Sequence, residues 1–198
     1  MKDILSSIQD RRSYYSISKK SPISDDRIYK IVTEAVKHTP SSYNMQSQRV
    51  VLLLGPANDQ LWNIVVESLR VIVPAAQFEM TEKKIKKLGS GYGSILFYDD
   101  TAITNRFSNQ FPLYREKFAV WSQHANAMLQ INIWNLLEAE GFGASLQHYN
   151  PLIDADVQKA WNLPESWSLI AQMPFGTPTA APDEKEFTPI EERVKFFK

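Results

Sequence analysis

Cysteine is absent from this sequence of 198 residues. The absence excludes disulfide bonds, thiolate nucleophiles and metal sites built on cysteine, and it suits a reducing cytoplasm. The three histidines lie far apart without an H-E-x-x-H or His-x-His arrangement, so the sequence predicts no metal site. No apolar run approaches the roughly 20 residues of a membrane span, and the N-terminus does not resemble a signal peptide. We therefore expect a cytoplasmic protein that does not bind a membrane.

An excess of charge of either sign is also missing. Lysine and arginine together number 22, as do aspartate and glutamate, so the summed charge gives no indication of a nucleic-acid partner. A chain of this length forms one domain, 1–198, more easily than two. Aromatic residues are plentiful at 12%, which suits either a flat apolar ligand or a well-filled core.

The common catalytic signatures are absent as well. The sequence has no G-x-S-x-G elbow, no G-x-G-x-x-G dinucleotide motif and no P-loop, because the glycines of 89–93 lack the following Lys-Ser/Thr. Spacing alone leaves a Ser-His-Asp triad open, although Ser145 stands in the wrong place for a nucleophile elbow.

Apolar spacing and breaking residues predict a mixture of helices and strands. Ser24 is a good N-cap, and Thr39-Pro40 ends the helix that follows it. Gly141 stands in the usual position after a helix, and 79–93 is a basic stretch that ends in glycines. Without strict βαβ alternation, the fold class is α+β. The predicted helices lie at about 4–8, 25–38, 58–73, 114–140 and 154–162, and the predicted strands at 50–54, 94–100, 143–149 and 167–176.

The longest predicted helix is apolar on nearly every face between 128 and 137. Such a helix should be buried on all sides. A chain of 198 residues rarely covers one helix so completely, so we expect a second subunit to pack against it.

Two polar segments are candidates for ligand binding. Arg11, Arg12 and Ser13 offer two guanidinium groups and a hydroxyl that can hold a phosphate, although a solvated basic turn is the simpler alternative. Asn44 and Gln46 are two residues apart, so in an extended chain their amides point the same way and suit the edge of a heterocycle. A turn with both amides facing water is the alternative there.

Four segments taken together resemble the nitroreductase family of flavin enzymes. They are RRSYYSI, TPSSYNMQSQRVV, EAEGFGASLQHYNPLID and QMPFGTPTA, in the family's order over nearly the whole chain. The last two resemble the small branch that includes the yeast fatty-acid-repression proteins and the bacterial copper-induced nitroreductases. The resemblance implies an α+β homodimer with a central, mostly antiparallel sheet, flanking helices, a long helix at the dimer interface and two tightly bound FMN molecules shared between the subunits.

The resemblance also assigns residues to the flavin. The phosphate would be bound by Arg11, Arg12 and Ser13, and the partner subunit would contribute Pro40, Ser41, Ser42, Asn44 and Gln46. Further contacts carried over from the family are Lys87 (with Lys84 as the alternative), the ring-edge residues Gln147, His148 and Tyr149, and Lys185 from the tail.

The sequence departs from the family pattern at three places. Tyr15 replaces a basic residue, and Ser47-Gln48 replaces the usual Pro-Trp. The tail has Lys185 without the arginine that often follows, which leaves its phosphate contact less well supported.

By resemblance, the activity is hydride transfer from NAD(P)H to a nitroaromatic or quinone by a ping-pong mechanism. The flavin would carry this chemistry, so no catalytic side chain is predicted. The aromatic residues before and within the long helix would wall the acceptor pocket, or else simply pack in the core or the dimer interface; they are Phe111, Tyr114, Phe118 and Trp121. The alternatives to an enzyme are a non-catalytic FMN-binding redox or stress regulator and an interaction domain without a cofactor.

Overall fold

Capping side chains define the N-terminal ends of the first two helices. In this computed structural model, which describes residues 2–198, Ser24 Oγ accepts a hydrogen bond from the Arg27 amide, and the Asp3 carboxylate accepts one from Ser6. The predicted N-cap at Ser24 is therefore confirmed. The helices are α1 (Ile4–Asp10), α2 (Asp25–His38), α3 (Pro56–Ile72), α4 (Ala75–Gly89), α5 (Thr101–Gln110), α6 (Lys117–Ala139), α7 (Asp154–Ala160) and α8 (Ile190–Arg193).

The strands form an open antiparallel sheet in the order β1-β5-β3-β2, with β4 also paired to β5. Its central strand β3 is buried along its whole length because helices cover both faces. The α+β fold is thus confirmed. The strands are β1 (Ile17–Ser18), β2 (Gln48–Leu54), β3 (Gly93–Asp100), β4 (Gly143–Ala144) and β5 (Trp167–Pro178).

Alternating side chains of β3 supply two separate cores. Ile95 and Phe97 pack with α2 and α6, whereas Leu96 and Tyr98 pack with α3, α4 and α7 on the opposite face. A β-bulge between β3 and β5 lets Leu169 join the second core although Ala171 belongs to the first. The sheet is therefore the rigid layer from which both groups of helices project.

Three segments of the chain differ from the sequence-based expectation in their secondary structure. The segment read as a basic stretch is helix α4, whose buried Phe78, Ile85 and Leu88 stand among many charged residues. Helix α5 was not predicted, because its one fully buried residue, Thr104, gives no apolar period. The strand predicted at 143–149 is limited to Gly143–Ala144, since the chain then leaves the sheet apart from one bridge at Gln147.

The all-apolar run at 50–54 predicts a buried strand, but β2 is the edge strand and most of its residues are only partly buried. The long helix begins at Lys117 because Pro112–Tyr114 form a separate 3-10 turn before it. Its C-terminal end is as predicted, with Gly141 at φ +90°.

Helix α6 is covered on one side only within this chain. Leu129, Ile133 and Leu137 are fully buried, whereas Met128 is 39% and Ile131 40% exposed. This exposed apolar stripe leaves room for the second subunit that the sequence predicts. Among residues 2–198, no helix is both long and apolar enough to cross a membrane.

Asp154 gives a testable dependence of stability on pH. It starts α7 with Oδ1 buried and unpartnered, and burial raises the pKa of this carboxyl group. A raised pKa in the folded state means that Asp154 favours folding below its unfolded pKa of about 3.9 and loses that contribution as the pH rises through the folded value.

We therefore expect Asp154→Asn to become more stable relative to the wild type as the pH rises from about 4 to 7. Urea denaturation at both pH values measures the difference. Asp156→Asn, which removes an exposed carboxylate from the same turn, controls for the loss of charge near the helix dipole. If the difference in free energy of unfolding between Asp154→Asn and the wild type were the same at both pH values, the expectation would be contradicted.

Candidate functional site

The segment Arg11–Ser13 runs beside β4. The Tyr14 amide donates a hydrogen bond of 2.9 Å to the Ala144 carbonyl, and Ser13 forms a parallel bridge with Ala144. A Cβ atom at position 143 would lie 2.7 Å from the Tyr14 ring, so Gly143 permits this close approach. The sheet thereby fixes the position of both arginines.

The two arginines line a pocket of about 230 Å³. Arg11 stacks on Trp134 with its guanidinium carbon 4.5 Å from the ring centroid, and Arg12 donates a hydrogen bond to the Asp183 carbonyl. Partial burial, followed by repulsion from Arg12, lowers the pKa of Arg11, which remains a cation at neutral pH. The pocket is lined by Arg11, Arg12, Ser13, Tyr15, Asp183 and Lys185.

The donor set of this pocket fits a phosphate group. Arg11, Arg12 and Lys185 supply three positive charges, Ser13 adds a hydroxyl, and Asp183 is the single acidic residue in the lining. The tail thus brings Lys185 beside the predicted phosphate ligands from far along the chain. Tyr15, which replaces a basic residue of the family pattern, lines the same pocket.

A second group of predicted ligands forms the loop 40–46. Ser41 Oγ accepts a hydrogen bond of 2.9 Å from the Gln46 amide, and buried Met45 anchors the loop in the core. Tyr43, Asn44 and Gln46 all have positive φ angles, between 51° and 54°. This backbone turns the Asn44 and Gln46 side chains to the surface, where both are exposed.

The residues behind this loop account for its departure from the family pattern. The Gln48 amide group reaches back to the Pro40 carbonyl at 3.4 Å, while Ser47 is fully buried. Arg49 donates to the Gln46 carbonyl at 2.7 Å and to the Asp100 carboxylate at 3.0 Å. Side-chain hydrogen bonds of Gln48 and Arg49 therefore stabilise the loop, whereas the buried Ser47 hydroxyl has no partner among the described residues.

The predicted acceptor-pocket residues lie against this loop. Tyr43 contacts four of their rings, and Phe107 stacks on Phe111 with centroids 6.2 Å apart. Phe118 is fully buried beneath the others, so it supports the group from the core side. We call this set the aromatic cluster: Tyr43, Phe107, Phe111, Tyr114, Phe118 and Trp121.

The segment 147–149 follows β4 and is bound to β5. Gln147 exchanges two main-chain hydrogen bonds with Gln172, of 2.7 and 2.9 Å, and His148 is exposed. The Tyr149 amide donates to the buried Gln172 side chain at 2.7 Å, and its ring packs edge-on against Trp62 in the second core. Burial raises the pKa of Tyr149 to about 12, so the phenol is neutral at physiological pH. The Tyr149 ring thus turns into the core, whereas His148 stays at the surface.

Lys87 lies in the last turn of α4 with an exposed side chain, and it does not line the arginine pocket. Its carbonyl accepts a hydrogen bond from Ser90, whose hydroxyl also contacts the Ile17 carbonyl. Lys84 is exposed on the same helix. Among the residues that the structure describes, no group of three or more histidine and acidic side chains could hold a metal ion.

Comparison with known proteins decides the family. The family model described as the nitroreductase family matches residues 8–177. The chain belongs to the nitroreductase family. This membership confirms the resemblance seen in the sequence motifs, and it places the protein among oxidoreductases.

Individual relatives are similar to this chain over nearly its whole length. The nitroreductase homologue HBN1 of Saccharomyces cerevisiae is 33% identical over 195 residues, covering 98% of this chain and 96% of its own. Nitroreductase CinD from Lactococcus lactis, solved with nicotinic acid, is 36% identical with a TM-score of 0.91, covering 99% and 100% of the two chains. CinD was also solved with 4-nitrophenol.

A nitroreductase of Desulfovibrio desulfuricans, solved in complex with FMN, has a TM-score of 0.71 at 18% identity, with 100% and 98% of the two chains covered. At that identity the similarity shows the shared fold. The nitroreductase-like fold is therefore confirmed by both near and distant structures.

The sequence motifs did not identify several residues of the arginine pocket and of the aromatic cluster. Trp134 lies in the apolar stretch of the long helix, where the pattern predicts only burial, yet the Arg11 guanidinium stacks on its ring. Tyr43 lies between two motif residues and Asp183 precedes Lys185 by two positions, yet neither has a signal beyond its place in the chain. Their contacts depend on tertiary packing.

Proposed function

We propose that this protein is an FMN-dependent oxidoreductase that uses NAD(P)H to reduce nitroaromatic or quinone acceptors in two separate half-reactions. The observation that carries the proposal is the meeting of Arg11, Arg12, Ser13 and Lys185 in one pocket of a nitroreductase-family chain. Bound FMN would supply hydride acceptance and donation, so the protein needs no nucleophile or metal.

The tasks of the protein are binding and orientation. Arg11 and Arg12 would hold the FMN phosphate with their guanidinium groups, and Ser13 and Lys185 would complete the anion site. Gln147 and the exposed His148 would lie along the flavin, beside the strand that positions Ser13. Donors aimed at the ring edge stabilise the negative charge that reduction places there.

The loop 40–46 would serve a flavin bound to the arginines of the partner subunit. Within one chain, Trp121 contacts Tyr43 and Trp134 contacts Arg11. These two tryptophans lie about 20 Å apart along α6 and on roughly opposite sides of it, since the helix has 3.6 residues per turn. One flavin would not span both regions of a single chain, which supports a homodimer with two shared sites. The exposed stripe at Met128 and Ile131 offers the apolar surface for such a dimer.

The aromatic cluster would face the acceptor. CinD was solved with nicotinic acid, with 4-nitrophenol and with chloramphenicol. Nicotinic acid and 4-nitrophenol are flat aromatic molecules, and chloramphenicol carries a nitrophenyl ring, so these ligands support an acceptor with a planar aromatic ring here. A non-catalytic FMN-binding redox or stress regulator is the alternative, since the same phosphate pocket would serve it equally well. The cytoplasmic location inferred from composition stays a prediction.

The absorption spectrum of the purified protein, before and after addition of FMN and then NADH or NADPH without oxygen, tests the proposal. We expect retained flavin absorbance, bleaching by at least one nicotinamide, and recovery of the absorbance on addition of a nitroaromatic or quinone. Flavin that binds but is bleached by neither nicotinamide would favour the regulator. A protein that takes up no FMN at micromolar concentration would favour an interaction domain.

A further inference from the structure

Tyr43 is the aromatic residue that joins the polar loop to the aromatic cluster. Its ring lies 4.8 Å from Phe111, 5.6 Å from Phe118 and 6.2 Å from Trp121, measured between centroids. Despite these neighbours, 50% of Tyr43 is exposed. The ring therefore rests on an aromatic surface while half of the residue remains open to solvent.

The backbone of Tyr43 indicates that the ring itself is used. Its φ of 54° and ψ of 22° place it in the left-handed region, which bulky residues seldom adopt. Asparagine or glycine would take this conformation more readily. A tyrosine at this position adopts an unfavourable backbone conformation although its ring is only half buried, so core packing alone does not account for it.

The cluster also limits how far the ring can move. Phe118 is fully buried and contacts both Phe111 and Trp121, with centroids 5.9 and 5.1 Å away. Tyr43 rests on these three rings, nearly parallel to Trp121 at an interplanar angle of 26°. Its exposed part is thus a preformed surface for stacking, next to the loop amides proposed to approach the flavin.

We propose that Tyr43 is a specificity-determining residue, whose ring stacks with planar aromatic acceptors and favours them over compact non-aromatic ones. This inference rests on the proposed flavin-dependent function and names the surface that selects the acceptor. Offset stacking of two rings contributes a modest free energy beyond burial, which corresponds to a change of about 3- to 10-fold in binding. The selection acts through the ring, so the phenol hydroxyl is dispensable.

The test compares two acceptors in the FMN-loaded protein at saturating reduced nicotinamide. Nitrobenzene is the planar aromatic probe, and ferricyanide is the compact non-aromatic probe. Tyr43→Asn removes the ring but tolerates the left-handed backbone, and Tyr43→Gly provides a second variant with the same property. Tyr43→Phe keeps the ring, and Tyr29→Asn, on the exposed face of α2, is the matched control.

We expect Tyr43→Asn and Tyr43→Gly to lower kcat/KM for nitrobenzene by about 3- to 10-fold, mainly through KM, with rates expressed per bound FMN. Their values for ferricyanide, and all values for Tyr43→Phe and Tyr29→Asn, should stay within about twofold of the wild type. Equal losses with both acceptors, or no loss with nitrobenzene, would overturn the assignment of Tyr43. A wild-type protein whose FMN is not reduced by either nicotinamide would instead refute the proposed function, and the inference with it.

Discussion

Replacing both Arg11 and Arg12 by alanine should raise the dissociation constant of FMN by about two to four orders of magnitude. A hydrogen bond to a charged group contributes about 1.5–3 kcal/mol, and the double substitution removes both guanidinium groups from the pocket. The effect should fall on binding, because neither arginine is proposed to take part in hydride transfer. Quenching of flavin fluorescence on titration with protein measures the affinity.

Three comparisons make this result specific. The double change to lysine keeps the charge but loses the planar, bidentate guanidinium, so it should restore affinity only in part. Arg70→Ala removes one positive charge from α3, which contributes no residue to the pocket lining, and should leave FMN affinity unchanged. Loss of affinity for riboflavin, which lacks the phosphate, should be much smaller than loss for FMN. Equal losses for both flavins would contradict a phosphate role.

Mixing two inactive variants should restore activity if the sites are shared across a dimer. One variant carries Arg11→Ala and Arg12→Ala, and the other carries Asn44→Ala and Gln46→Ala. In each mixed dimer, one site combines two intact halves and the other combines two altered halves. With random assortment, about a quarter of all sites should regain wild-type activity.

Differently tagged subunits, denatured and refolded together and then purified through both tags, give verified mixed dimers with about half of their sites restored. Combining two variants that are altered in the same half, such as Arg11→Ala with Arg12→Ala, provides the control, since no intact site can form. Verified mixed dimers without recovered activity would show that each chain builds its site alone. A protein that is monomeric at micromolar concentration would exclude sharing in the same way.

The local sequence determined those elements whose signals are continuous along the chain. Ser24, the apolar face of 28–36 and Thr39-Pro40 define α2 from cap to end. The family could be read from four short motifs, and the family model confirms it. Helices α4 and α5 could not be found in this way. Their buried residues are few and widely spaced among polar ones, and packing against α3 and α6 stabilises them.

The same distinction between local sequence and tertiary packing applies to the candidate flavin site. Arg11, Arg12 and Ser13 form one contiguous motif, so the sequence by itself could propose a phosphate ligand. The family resemblance assigned Lys185 to the same site, but its meeting with these residues depends on the tertiary structure, because the tail returns to the start of the chain through contacts such as that of Arg12 with Asp183. The tertiary structure also packs Tyr43 against the other rings of the aromatic cluster, and it places the arginines on the far side of α6. Residue types and their spacing determine which groups the chain can offer to a ligand, whereas long-range packing decides which of these groups meet in one site.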